Sequence, residues 1–180
     1  MKNDCFIICN AAGVAALVIG AAGMLSKIIS GGQTGADRAA LDAGLEMRFP
    51  IGGYCPIGRM AEDGPIDIKY PLIEIRGGYR ERTKKNVEVS GGTAVFYDSV
   101  LTGGTEQTVV FCIQCAKPYK LIDISLIGPT ASAKAINEFI ISNSISVVNV
   151  AGPRLSGCPA SYAYVKKVIR DLIKKSVGHC

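Results

Sequence analysis

Residues 27–37 read Lys27-Ile28-Ile29-Ser30-Gly31-Gly32-Gln33-Thr34-Gly35-Ala36-Asp37, and their order predicts a strand, a glycine turn and a helix start. Lys27 to Ser30 has the β-branched, apolar character of a buried strand. Gly31 to Gly35 bends the backbone, and a helical run begins at Ala36. Such a junction suits an anion. The first N–H groups of a helix have no internal partner and carry the positive end of its dipole, and glycine lets the backbone approach a phosphate closely.

Working outward, Ala39, Ala40, Leu41, Ala43, Gly44 and Leu45 recur at helical spacing, which predicts a first helix over Ala36 to Met47. Phe49 to Tyr54 reads as a short second strand ending in glycine, and Leu72 to Ile75 as another. Between them Cys55 to Pro71 carries Pro56, Gly58, Gly64 and Pro65 and has no periodicity, so it reads as a long functional or mobile loop. Tyr79 to Val89 is polar almost all round and reads as a surface helix or helical turn. Gly92 to Tyr97 is a buried strand leading to a second glycine turn, Leu101 to Glu106. The helix after it is expected to bury Val109, Cys112, Ile113 and Ala116. A strand over Tyr119 to Ile124, a helix over Pro129 to Ile141 with Ile136, Phe139 and Ile140 inward, a strand over Ser146 to Val150 and a helix over Pro159 to Lys175 complete the chain. Strands alternating with helices predict an α/β, Rossmann-like fold, with a mostly parallel sheet and helices on both faces. Three strand ends run into glycine, at Gly31-Gly32, Gly103-Gly104 and Gly152, and all three turns should lie along one edge of that sheet.

The chain has 180 residues, 48% of them hydrophobic and 19% charged, which suits a single domain over residues 24–180. Residues 1–23 differ: no charge occurs from Cys5 to Gly23, and the second half is mostly Ala and Gly. A signal peptide cleaved near Ala21-Ala22-Gly23 and an extra apolar helix are the alternatives to the reading taken, an N-terminal extension ahead of a start at Met24. Seven cysteines, an odd number, do not frame a scaffold of this size and point to a reducing, cytoplasmic compartment. Cys112 and Cys115 share a helix face, but apolar neighbours and a place near the helix's far end speak against a redox or metal role. No metal constellation is expected. The net charge of +5 is modest, and Lys166, Lys167, Arg170, Lys174 and Lys175 read as a solvated helix face. With no Trp and few aromatic residues, neither a nucleic-acid partner nor a membrane partner is expected.

The first turn is not a P-loop, because Ala36-Asp37 stands where Lys-Ser/Thr would follow the last glycine. Nor is it a dinucleotide turn, since the second strand ends in Gly53-Tyr54 with no acid to hold a ribose. What remains is a two-walled crevice. Gly31, Gly32, Gln33, Thr34 and Gly35, with Asp37 beside them, form one wall, and Thr102, Gly103, Gly104 and Thr105 the other. Two helix N-termini facing one crevice can hold a phosphate or nucleotide without a lysine, with Arg82 and Arg154 neutralising charge.

The motifs GGQTGAD (31–37), GGYCPIGRMAEDGPI (52–66), YRERTKKNVEVSGGTAVF (79–96), LTGGTEQT (101–108) and VVNVAGPR (147–154), in this order, resemble the molybdenum-cofactor carrier protein family, a circularly permuted branch of the SLOG superfamily. The resemblance implies a Rossmann-like fold, a homo-oligomer, and binding of a nucleotide-type or other phosphorylated ligand, the molybdenum cofactor included. The same superfamily contains lonely-guy-type phosphoribohydrolases, whose turn reads PGGxGTxxE and uses its Glu with an Arg to cleave an N-glycosidic bond. Here that pattern survives only as Gly103-Gly104-Thr105, and Thr108 stands where the Glu would fall. An N-glycosidase of this kind would need another acid, from Glu62, Asp63 or Glu106, and a cation from Arg59, Arg80, Arg82 or Arg154. Glu62 and Asp63 with Arg82 are the catalytic candidates on that alternative.

Overall fold

The computed structural model describes residues 24–177; the extension read at residues 1–23 lies outside them. In order, the chain forms β1 (Lys27–Ile29), α1 (Ala36–Glu46), β2 (Ile51–Gly52), β3 (Tyr54–Pro56), a 3-10 turn over Ile57–Arg59, β4 (Met60–Ala61), β5 (Gly64–Pro65), β6 (Ile73–Ile75), α2 (Tyr79–Val89), β7 (Gly92–Tyr97), α3 (Gly103–Gln114), β8 (Tyr119–Asp123), α4 (Pro129–Ser142), β9 (Val147–Ala151) and α5 (Ala160–Val177).

Five strands make one sheet in the order β2-β1-β9-β7-β8, and every pairing is parallel. Ile28 lies between Ile51 and Val148, and Ala94 between Val150 and Lys120. A parallel sheet needs cover on both faces. On one face α1, α4 and α5 pack together. Ala36, Ala39, Ala40 and Ala43 bring α1 close, Ile136 and Ile140 enter from α4, and Val165, Val168, Ile169, Leu172 and Ile173 form the inward stripe of α5. On the other face α2 packs on α3 through Val87, Phe111 and Cys112. Each fully buried Ile or Leu contributes roughly 1.5–3 kcal/mol by leaving water. Among the described residues no helix is long and apolar enough to cross a membrane.

Three local expectations change. Helix α2 is a surface helix, as expected, but it buries one face, made of Arg82, Asn86 and Val87. Asn86 clamps the backbone of Tyr54, accepting from its N–H at 2.9 Å and donating to its carbonyl at 3.1 Å, and a polar side chain so paired tolerates burial. Helix α3 buries Thr105, Thr108, Phe111 and Cys112, while Ile113 is 63% exposed. Phe111 sets the inward face, and the stripe expected through Ile113 is rotated away from it. Burial pushes the Cys112 thiol up, the opposite of a reactive cysteine. Finally, Cys55 to Pro71 is a built element. Cys55, Ala61, Ile66, Tyr70 and Leu72 form a small core with Leu41, and the Arg59 guanidinium donates to the carbonyls of Ile66, Asp67, Tyr70 and Leu72 at 2.7–3.2 Å.

The chain between β1 and α1 is fixed by close backbone contact. Gly35 has φ +73, and a Cβ there would stand 2.3 Å from the Pro153 carbonyl oxygen and 2.7 Å from the Leu155 nitrogen. Gly35→Ala is therefore expected to lower stability by more than about 1 kcal/mol. Gly104→Ala, where nothing lies within 4 Å of an added Cβ, is expected to leave it unchanged or higher; urea unfolding of the two variants beside the wild type checks the contrast.

Candidate functional site

Strands β1, β7 and β9 end at the same edge of the sheet, and the segments that follow them enclose a cleft of about 500 Å³. This is the size of a small-molecule site. From β1 the chain proceeds to β2 on one side, and from β7 to β8 on the other. The cleft thus lies where the strand order reverses, the usual ligand position in an open parallel sheet. Gly31 reaches it after β1, Gly103 and Gly104 after β7, and Gly152 after β9, so the three glycine turns do share one edge.

The inner wall is built from Gln33, Asp37 and Arg82, all of which line the cleft and are buried. The Gln33 Oε1 accepts from the Thr34 N–H at 3.0 Å and the Glu62 N–H at 2.8 Å. Those two donors fix which way the amide points, and they leave the buried Nε2 without a partner. Arg82 donates from Nη1 to Asp37 Oδ2 at 2.8 Å, while its buried Nε also has no partner. The Arg82 side chain passes close against Gly31: a Cβ there would stand 1.5 Å from Nη1. Burial raises the Asp37 carboxyl above its ordinary range, outweighing the neighbouring Arg82 guanidinium. Among the described residues, two side chains that line the cleft thus each keep a buried donor without an acceptor, next to the buried carboxylate of Asp37.

The opposite wall is the first turn of α3. Its N-cap, Thr102, makes no side-chain cap bond, and Thr102, Gly103, Gly104 and Thr105 all line the cleft. The start of α1 is different. The Ala36 N–H donates to the Pro153 carbonyl at 3.1 Å, the Arg38 N–H to the Gln33 carbonyl at 2.9 Å, and Asp37 occupies the first turn. The chain's own acceptors thus already meet that pole, which leaves α3 as the helix start open to an incoming anion. Around the rim stand Tyr79, Arg80 and Arg154; with Arg82 the lining holds three arginines against one carboxylate, Asp37.

Of the residues singled out from the sequence, Gly31, Gln33, Asp37, Arg80, Arg82, Thr102, Gly103, Gly104, Thr105 and Arg154 come together on the cleft. Gly32, Thr34, Gly35, Glu62 and Asp63 are not among its lining. Gly32 faces Leu72 and Ile66. Asp63 forms a two-pronged pair with Arg38 at 3.2 Å. Glu62 accepts from the Thr34 hydroxyl and, at 2.7 Å, from the Ser156 hydroxyl, with the Ser156 N–H at 3.2 Å. It ties the turn after β9 to the turn after β1. Glu106 is exposed in the first turn of α3 and does not line the cleft either. Asn149 and Tyr79 line it without having been singled out. Asn149 is the one polar residue in Val147–Ala151 and donates to Thr93 Oγ1 at 3.3 Å; an amide inside so apolar a strand is a signal of its own. Tyr79 gave none beyond its place in a polar helix.

A parallel sheet with helices on both faces and a cleft at its carboxyl edge defines a Rossmann-like α/β protein. The model of the circularly permutated YpsA SLOG family matches residues 28–173, and the chain belongs to that family. The crystal structure of a "Putative molybdenum carrier protein" from Syntrophus aciditrophicus SB is similar, with a TM-score of 0.81 and 40% identity over 84% of this chain and 96% of that chain. No curated protein matches.

The Glu62 tie is sensitive to acid. Hydrogen bonds from Thr34 and then Ser156 hold its carboxyl below the ordinary range, whose reference value is 4.5. A carboxyl depressed in the folded state adds stability that is complete above that reference value and lost as pH falls through the folded value. The stability gap between wild type and Glu62→Gln is therefore expected to be widest near neutrality and to narrow below about pH 4.5, read from urea midpoints across a pH series.

Proposed function

We propose that the cleft binds a phosphorylated small ligand, a nucleotide or a related compound, with the phosphoryl group seated on the first turn of α3. The observation that carries this reading is a cleft whose lining joins the first turn of α3, with no side-chain cap bond at Thr102, to Arg80, Arg82 and Arg154. Phosphoryl oxygens are strong acceptors for the N–H groups of a helix start and for guanidinium groups. Arg80, Arg82 and Arg154 supply the opposing charge, and Gly104 leaves open space above the helix turn. The similar structure is named for a molybdenum carrier, and the molybdenum cofactor is a phosphorylated ligand of this chemical class. Among the described residues no group of three or more His, Cys, Asp and Glu side chains could hold a metal ion. Such a cargo would be recognised through its phosphoryl group.

The test separates binding from folding. In Gly104→Asp an acid enters the first turn of α3, where it suits the helix dipole and costs the fold little or stabilises it by about 0.3–1 kcal/mol. The same charge repels a phosphoryl group. Wild type is expected to gain melting temperature with nucleoside monophosphates or pyrophosphate, and Gly104→Asp to melt no lower on its own yet gain nothing. A full ligand response in the variant overturns the reading.

A second reading, cleavage of the N-glycosidic bond of a nucleotide, is favoured by one observation: among the described residues Asp37 is the sole carboxylate on the cleft lining, and it is buried there. On this reading Asp37, rather than Glu62 or Asp63, faces the sugar and stabilises positive charge developing at the anomeric carbon. Wild type should then release free base from nucleoside monophosphates and Asp37→Asn should lose that release, whereas Glu62→Gln should retain it. Absence of any base release by wild type sinks this reading and leaves the binding reading standing.

A further inference from the structure

Among the described residues Tyr79 is the single aromatic residue on the cleft lining, and it is 38% exposed. It is the first residue of α2, and its place is set by its own helix start. The Glu81 carboxylate accepts from the Gly78 N–H at 2.9 Å, and the Thr83 hydroxyl donates to the Tyr79 carbonyl at 2.8 Å. Over the ring stands Arg154, with its guanidinium carbon 5.0 Å from the ring centroid. Arg154 comes from the turn after β9, which Glu62 fixes through Ser156. The two layers of this stack are therefore held by separate parts of the chain, and both border the cleft. Arg80 also borders the cleft, with its guanidinium over Phe111 at 5.7 Å. Arg82 is engaged by Asp37. Of the three cleft arginines, Arg154 is the one stacked on an aromatic ring of the lining.

The geometry points to a ligand that carries a planar heteroaromatic ring as well as a phosphoryl group, with the ring stacked on the Tyr79–Arg154 pair at the rim and the phosphoryl group inside. This rests on the phosphoryl reading of the cleft and adds the class of the ligand's other end. A guanidinium and a phenol ring both offer flat faces to a third planar group, and stacking on them needs no hydrogen-bond pattern. The inner wall differs in kind: Gln33, Asp37, Arg82 and Asn149 present polar groups. A sugar phosphate fills only the inner part of such a cleft, while a nucleotide spans both.

The test is calorimetric titration of the full chain with AMP, adenosine, ribose 5-phosphate and inorganic phosphate, repeated on Tyr79→Ala and Tyr79→Phe. The expected result is that wild type binds AMP about tenfold or more tighter than ribose 5-phosphate, as the stacking of one base allows. Tyr79→Ala should bring AMP to the level of ribose 5-phosphate without changing ribose 5-phosphate itself, and Tyr79→Phe should retain the preference. Circular dichroism melts of each variant confirm that folding is unchanged. Equal binding of AMP and ribose 5-phosphate by wild type overturns the inference and leaves the phosphoryl reading intact, as does a preference that survives Tyr79→Ala. Tyr79-dependent binding of adenosine, with no binding of ribose 5-phosphate or phosphate, supports the ring platform and overturns the phosphoryl reading. Binding of none of the four probes overturns both.

Discussion

Two backbone segments, 31–37 and 152–157, approach so closely that no side chain fits between them, and the cleft exists because they do. Gly35 lies against the backbone of Pro153 to Leu155, and Gly152 against Ala36 and Phe96. Across the seam the Ala36 N–H reaches the Pro153 carbonyl and the Leu155 N–H the Thr34 hydroxyl, at 3.1 and 3.2 Å. Glu62 adds a third strap from outside. These contacts join the first strand of the domain to its last, because β1 and β9 are neighbours in the sheet. The inner wall of the cleft is thereby a consequence of sheet order as well as of local turn chemistry.

Against that fixed seam the buried charge acquires its meaning. A carboxylate and a guanidinium removed from water gain from one another only if the geometry is good, and loss of one strands the other at about 3–5 kcal/mol. Asp37 and Arg82 meet at 2.8 Å, but the pair is incompletely satisfied, since Arg82 keeps a donor in reserve and burial still raises Asp37. Structural pairs in cores are usually saturated with partners. On the proposed function, the pair adds one side of its charge, Arg82, to the wall that meets the phosphoryl group.

The parts of this arrangement that were legible in the sequence are those set by neighbours along the chain. The strand, turn and helix of residues 27–46 follow from β-branched residues, positive-φ glycines and an alanine-rich face, all within one short stretch. The parts that were not legible depend on partners far away in sequence. The buried face of helix α2 is hard to see in the sequence because two of its three buried residues are Arg82 and Asn86, whose partners Asp37 and Tyr54 lie 45 and 32 residues back. The face of α3 was misjudged because Ile113 is as apolar as Phe111, and only the packing against Val87 distinguishes them. Glu62 and Asp63 drew notice as carboxylates in a long loop; their partners Thr34, Ser156 and Arg38 give them a bracing position instead. Asp37, inside the glycine motif itself, is the carboxylate that the folded chain delivers to the cleft.

The close contact of Arg82 upon Gly31 has a consequence for descent. The guanidinium fills the volume that any side chain at position 31 would need, so the two positions are a lock whose halves lie 51 residues apart by their numbers. A lineage that acquires a side chain at 31 must displace the arginine, and one that loses the arginine releases the glycine from its restriction. The two positions should be inherited as one character, and a homologue with only one of them will have rebuilt this wall of the cleft by other means.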